Sequence, residues 1–319
     1  MILRIGTRAS PLALWQARAV ARLLGSRGVS CELVNITTSG DRLQQAPLSE
    51  AGGKRLFVKE IEDALLRADI DLAVHSAKDM SAVLPRGLEL AATLPREDPR
   101  DALILPGDTP TGEFDDALAR LGAAPKIGTG SVRRTAQLAG VLPGATFVPI
   151  RGNVDTRLRK LDTGGYDALV LAAAGVSRLG LATRITAPIP IDRCVPAPGQ
   201  GIIAIETRAD DDETMQAVRA IHDPAAGIAL DAERAVVEAL GGGCQLPLGA
   251  LAVADASQLH VRAIVAAPDG SRVIARSERG PASEAAMLGR RVADALIRGG
   301  ALDILDTIRQ ADSSVEDLK

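Results

Sequence analysis

Two residues of this chain stand where they could do chemistry. Cys244 follows three glycines and precedes Gln245 in GGGCQLP, so its sulfur sits on backbone with little steric protection. Such exposure suits covalent chemistry or attachment, and equally a small residue in a tight helix-to-strand turn. Asp79 lies in the turn after DLAVHS, beside His75, Ser76 and Lys78. A carboxylate among cations can stabilise a developing positive charge or pass a proton to a leaving group, whereas an aspartate in a turn also serves as a cap. Around them the sequence offers cations. Arg151 follows a strand in PIRGNVDTR, Arg157 comes about one helical turn later, Arg178 follows DALVLAAAGVSRL, and Lys54 lies in AGGKRLF. Cations at strand ends of an open α/β sheet point to a polyanion site. Each could also be a solvated surface charge.

Two IGT turns deliver helix N-termini, where free amides and the helix dipole attract anions. Arg8 and Ser10 decorate the first; Thr129, Ser131, Arg133 and Arg134 decorate the second. Capping and surface charge account for the same residues. Together the turns suggest a cleft for a ligand with several carboxylates or phosphates. Neither fits a GxxxxGK[ST] or GxGxxG loop, so nucleotide binding has little support.

The elements that would position these groups follow a repeated order. A strand at residues 3–6, a helix opened by Ser10 with Pro11 at its first position, a strand at 32–37, a helix at 58–67 and a strand at 71–76 form a β-α-β-α-β run, the signature of a parallel sheet covered by helices. The same order returns at residues 126–142, at the strand entering Gly152, and at 167–173, which predicts two similar α/β lobes facing each other. Residues 94–104, rich in proline and charge, read as a crossing segment. Residues 195–208 read as the return, with an apolar strand at 202–205. After His222 a helix at 225–240, three strands and closing helices from about residue 283 predict a smaller α+β domain. The expected domains are 1–94 with 195–218, then 100–192, then 222–319.

Composition narrows the function. With 46% hydrophobic and 24% charged residues the chain is globular, and its length suggests about two or three domains. Its 37 Lys+Arg against 40 Asp+Glu leave a net charge of −3, with no global field for nucleic acid or an anionic membrane. Only 2% of residues are aromatic, too few for base-stacking platforms. The cations are mostly Arg, whose planar fork grips carboxylates; a GC-rich genome gives the same bias. Three distant cysteines, Cys31, Cys194 and Cys244, form no disulfide framework and suggest a reducing compartment. Cys31 and Cys194 read as ordinary small residues. His75, His222 and His260 are too scattered for zinc-type spacing, and no metal is expected. The N-terminus lacks a signal-type apolar stretch and cleavage site, and no segment reaches the roughly 20 apolar residues of a membrane span, so a cytoplasmic protein is expected.

The motifs IGTRASPLALWQ, GGKRLFVKE, DLAVHSAKDM, REDPRDA, IGTGSVRRTAQL, IRGNVDTRLRKLD, VPAPGQG and GGGCQLPLG, in this order, resemble the porphobilinogen deaminase (hydroxymethylbilane synthase) family over essentially the whole chain. The resemblance implies a transferase of tetrapyrrole (haem/chlorophyll-type) biosynthesis, which condenses four porphobilinogen molecules head to tail into hydroxymethylbilane with loss of four ammonia. It implies two lobes like type II periplasmic binding proteins plus a C-terminal domain. It implies a dipyrromethane cofactor held by Cys244 through a thioether, with Asp79 as the catalytic carboxylate beside the cation left when ammonia departs. Lys78, Ser76, Thr129, Ser131, Arg133, Arg134, Arg151, Lys54 and Phe57 would bind the cofactor; Arg8, Ser10, Arg151, Arg157 and Arg178 would bind substrate. Each pyrrole brings an acetate and a propionate, which accounts for so many arginines. Two departures stand out: Glu50 where the family usually has Lys, and Gly130 where it usually has the first Ser of GTSS, leaving Ser131 and backbone amides for the anion. The family is usually monomeric, and its product would pass to uroporphyrinogen-III synthase. The competing expectation is a non-catalytic two-lobed binding protein for a small polycarboxylate.

Overall fold

The computed structural model describes residues 2–39, 58–242 and 246–316. The chain opens with β1 (Ile2–Thr7), α1 (Pro11–Gly25), β2 (Ser30–Asn35), α2 (Lys59–Leu66), β3 (Leu72–Ser76) and β4 (Leu88–Thr93). Ser10 caps α1 by accepting from the Ala13 amide, and Pro11 occupies the first helical position, where its missing N–H has no partner to lose.

After crossing at residues 94–100, the chain builds β5 (Asp101–Ile104), α3 (Phe114–Ala119), β6 (Lys126–Gly128), α4 (Val132–Leu138), β7 (Thr146–Val148), α5 (Val154–Asp162), β8 (Ala168–Ala172), α6 (Ala173–Arg178) and β9 (Ala187–Pro188). It then returns as β10 (Ile203–Arg208) and α7 (Asp212–Arg219). The third unit is α8 (Pro224–Ala239), β11 (Leu248–Asp255), β12 (Gln258–Ala266), β13 (Val273–Pro281), α9 (Ala285–Arg298) and α10 (Ala301–Glu316).

The strands form two five-stranded sheets, ordered β2-β1-β3-β10-β4 and β7-β6-β8-β5-β9, and an antiparallel three-stranded sheet β11-β12-β13. The chain is thus two α/β lobes and a smaller α+β unit. In each large sheet the first three strands run parallel, and the fourth, β10 or β5, is antiparallel to its neighbours. This corrects two sequence expectations. The sheets are mixed rather than parallel, and the segment read as crossing through residue 104 becomes a buried strand from Asp101 onward. β4 is a further strand that the sequence did not reveal.

Both faces of each large sheet are covered, which is why their strands read as nearly continuous aliphatic runs. Leu3, Ile5, Leu72, Val74, Ile203 and Ile205 pack beneath α1 and α7, while Ile61, Leu65, Ile70 and Leu88 form the core on the α2 side. The third unit buries one sheet face against α8 and α9 through Val236, Val261, Leu288 and Val292. Among the described residues no helix is long and apolar enough to cross a membrane.

Candidate active site

A cleft of about 200 Å³ opens where all three units meet. Lobe one contributes Lys78, Asp79 and Met80; lobe two contributes Ser131, Arg133 and Arg134; the return segment contributes Pro198 and Gln200; and the third unit contributes Leu230, Arg234, Leu246 and Leu248. Cys244 lies outside the described residues, as do Lys54, Phe57 and Glu50. Leu246, two positions after Cys244, is in the cleft wall.

β3 ends at Ser76, and the chain tightens into a 3-10 turn, Ala77–Asp79, which brings Lys78 and Asp79 to the cleft. The turn is tied down by the Ala77 amide donating to the Ile202 carbonyl at 3.0 Å and the Met80 amide to Ala77 at 3.2 Å. The return segment packs directly against it. Gly199 adopts φ +74°, and a Cβ there would lie 2.9 Å from the Ala77 carbonyl carbon, so only glycine lets the two backbones approach. Asp79 is exposed.

The cations divide into two groups. Burial pushes the Lys78 ammonium down to about 8, a shift that Asp79 and Asp101 oppose and Arg134 and Arg133 reinforce. Arg157 donates from Nε to the Gly152 carbonyl at 2.7 Å, and burial with Arg134 and Arg151 nearby pushes it down to about 10, against Asp79. Arg133 and Arg134 are 4% and 7% exposed, and both grip one carboxylate. Arg133 Nη1 donates to Asp101 Oδ2 and to the Val195 carbonyl, both at 2.7 Å; Arg134 Nε donates to Asp101 Oδ1 at 2.9 Å. Burial alone would raise the Asp101 carboxyl, but the two guanidiniums overcome it and hold the group below the usual carboxylate range.

The other predicted site residues fall as follows. The Ser131 hydroxyl caps α4, accepting from the Arg134 amide at 3.4 Å, and its own amide donates to Thr129 Oγ1 at 3.3 Å. The helix therefore uses this hydroxyl itself. Ser76 Oγ accepts from Gln16 Nε2 at 2.8 Å beneath the turn. Arg8 and Ser10, at the end of β1 and the start of α1, are not in the cleft wall. Arg178 is turned elsewhere: its guanidinium donates to the Gly201 carbonyl at 2.7 Å and lies 5.6 Å from the centre of the Trp15 ring, joining α6 of one lobe to α1 of the other. The sequence missed Asp101, Gln200, Glu233 and Arg234. Glu233, fully buried, accepts from Arg96 at 2.6 Å and from the Gly199 and Ala252 amides at 2.6 and 2.7 Å, bolting both crossings to the third unit. Asp101 and Gln200 sat within quoted motifs, REDPRDA and VPAPGQG, and a charge or amide amid Pro and Gly was the available signal.

Cys194 is buried beside this network, its Sγ 3.4 Å from Asp101 Oδ2, and burial pushes its thiol up to about 12. It stays protonated and unreactive.

What this cleft can hold follows from its charge. Among its described lining residues are four cations, Lys78, Arg133, Arg134 and Arg234, and one carboxylate, Asp79, with Asp101 behind Arg133 and Arg134, so four cations face two anions; Arg157, beside Arg151, lies outside this wall but within electrostatic reach of Asp79 and Arg134. The surplus fits an anionic ligand with several carboxylates.

Residues 3–216 match the family model described as porphobilinogen deaminase, dipyromethane cofactor binding domain, and residues 228–298 match the porphobilinogen deaminase C-terminal domain. The chain belongs to the porphobilinogen deaminase family. The porphobilinogen deaminase of Acidithiobacillus ferrooxidans (strain ATCC 53993 / BNL-5-31) is 48% identical over 311 residues, spanning 97% of this chain and 99% of its own length. That of Syntrophotalea carbinolica is 47% identical over 305 residues, 95% of each chain. Among solved structures, a periplasmic substrate-binding protein of an ABC transporter from Coxiella burnetii aligns at 15% identity with a TM-score of 0.42, covering 70% of this chain and 93% of its own. The dipyrromethane of the family is an anionic bicycle, and the cationic surplus of the cleft suits it.

Proposed function

We propose that this chain is the transferase that joins four porphobilinogen molecules head to tail into hydroxymethylbilane, releasing four ammonia, with its dipyrromethane held by a thioether to Cys244. The observation that carries the reading is an exposed carboxylate, Asp79, set among cations in a cleft shared by all three units. A protein that merely bound a polycarboxylate would gain nothing from a carboxylate at that place, where it repels the ligand. A reaction that makes a cation from an aminomethylpyrrole does gain from it.

Lys78, Arg134, Arg151 and Arg157 would hold carboxylates of the dipyrromethane and of incoming substrate. The dipyrromethane supplies a pyrrole carbon nucleophile that keeps the growing chain attached. Asp79 would stabilise the positive charge left on the substrate pyrrole when ammonia departs, and hold or move the proton at the pyrrole nitrogen. Arg133 serves this site indirectly, through Asp101. Arg178 joins the lobes, and Arg8 and Ser10 remain candidate substrate contacts on family resemblance alone. The reading further places the protein in the cytoplasm as a monomer, with uroporphyrinogen-III synthase taking its product.

Intact mass spectrometry tests this reading. Purified protein should be heavier than its sequence by one dipyrromethane, and Cys244→Ser should lose both that mass and turnover. Unmodified wild-type protein that still makes tetrapyrrole would refute the attachment. Because Lys78 loses its charge as pH rises through about 8, substrate capture should weaken above that pH.

A further inference from the structure

Gln200 is 1% exposed, yet its amide joins groups from both lobes. Nε2 donates to the Pro99 carbonyl at 2.7 Å and to Asp101 Oδ1 at 2.9 Å, while Oε1 accepts from Lys78 Nζ at 3.4 Å. Two acceptors on one side fix the orientation of the amide: nitrogen must face Pro99 and Asp101, and oxygen must face the ammonium.

The backbone carrying this side chain is held on both sides. Arg96 Nε donates to the Gln200 carbonyl at 2.9 Å, and Arg178 donates to the Gly201 carbonyl at 2.7 Å. Gly201 itself adopts φ +89°, and a Cβ there would lie 2.3 Å from the Glu97 carbonyl oxygen, which leaves the peptide no other path. The amide is therefore a rigid arm between Asp101, the anchor of Arg133 and Arg134, and Lys78, the neighbour of Asp79.

We propose that Gln200 is a positioning residue of the reaction: its amide sets the Lys78 ammonium in register with the Asp101-anchored arginines across the cleft, so that the two lobes present one continuous carboxylate-binding surface. The proposal rests on Lys78 serving that surface. Without the amide oxygen, Lys78 loses a fixed acceptor that favours its charged form. Among the described residues its other charged neighbours include Asp79 on its own turn, Arg133 and Arg134 on α4, and Asp101 on β5.

The test uses the intact, primer-loaded protein and two substitutions with opposite expected signs. Gln200→Met keeps the shape and removes the acceptor; Gln200→Glu keeps an acceptor and adds a negative charge. The chain has six lysines, so reductive 13C-methylation makes the Lys78 resonance assignable against Lys78→Arg. Gln200→Met should lower the Lys78 titration midpoint by about half a unit or more and lower kcat/KM for porphobilinogen by about tenfold. Gln200→Glu should raise that midpoint, and the alkaline limb of the kcat/KM profile should move the same way in each variant. A purely structural role would shift both variants alike or neither, and either result overturns the proposal, as does normal kcat/KM in Gln200→Met. Should one variant not fold, the sign in the other decides. The NMR midpoint reads the hold on Lys78 without reference to turnover, so full activity in Lys78→Met would count separately against the role of the lysine.

Discussion

Replacing Asp101 with asparagine removes one negative charge from beneath two guanidiniums. In the native protein Arg133 and Arg134 reach its oxygens at 2.7 and 2.9 Å, all three side chains are nearly inaccessible, and Gln200 adds a further hydrogen bond at 2.9 Å. Removing one partner of a buried ion pair costs about 3–5 kcal/mol, because the remaining charge is left without compensation. Asparagine keeps one carbonyl acceptor, so about 3 kcal/mol is expected, roughly two decades in the folding equilibrium. Urea denaturation of wild type and Asp101→Asn at pH 7 measures it. The sign with pH is set by the folded-state carboxyl lying below its unfolded value: its stabilisation is complete above the unfolded pKa, about 4, and is lost as pH falls toward the folded one. The gap between the two proteins should therefore stay constant from pH 7 to 5 and narrow by about 1 kcal/mol per pH unit below about 4. A gap under about 1 kcal/mol at pH 7, or one that does not change in acid, would refute the assignment of Asp101 as the buried counter-ion.

Asp79→Asn should keep the fold and the attached dipyrromethane and lose nearly all turnover; near-normal product formation removes Asp79 from the chemistry. Arg134→Leu should lower dipyrromethane content in the intact mass and also destabilise the fold, since it takes a partner from Asp101. Normal content would show that its role is structural alone. Arg178→Ala should cost about 1–2 kcal/mol and change the emission of Trp15, the only tryptophan, because it removes both the ring contact and the bond to Gly201; unaltered emission would argue against that contact.

Local signals were readable and distant partners were not. Ser10 and Pro11 announce α1 because a cap and an N1 proline act within one turn. The alternation of strand and helix in each lobe was legible because both sheet faces are covered by aliphatic side chains. β5 was hidden because it begins with Asp101, whose charge is acceptable in a core only through arginines 32 and 33 positions later. For the same reason Arg133 and Arg134 looked like free cations: their partner lies in another segment. Gln200 and Glu233 act across separations of about a hundred residues or more in some contacts, where no short pattern records them. The family motifs did gather Lys78, Asp79, Ser131, Arg133 and Arg134, and these line one cleft.

The position of β10 bears on how the chain is made. It lies between β3 and β4 in the first sheet, yet it follows the entire second lobe in sequence. On a ribosome, the first lobe must wait with the strand between β3 and β4 missing while the second, whose strands all come from residues 101–188, can close by itself. The amino-terminal half of this protein is thus the half that finishes later, and its unpaired β3 and β4 edges are the surfaces a chaperone would meet first.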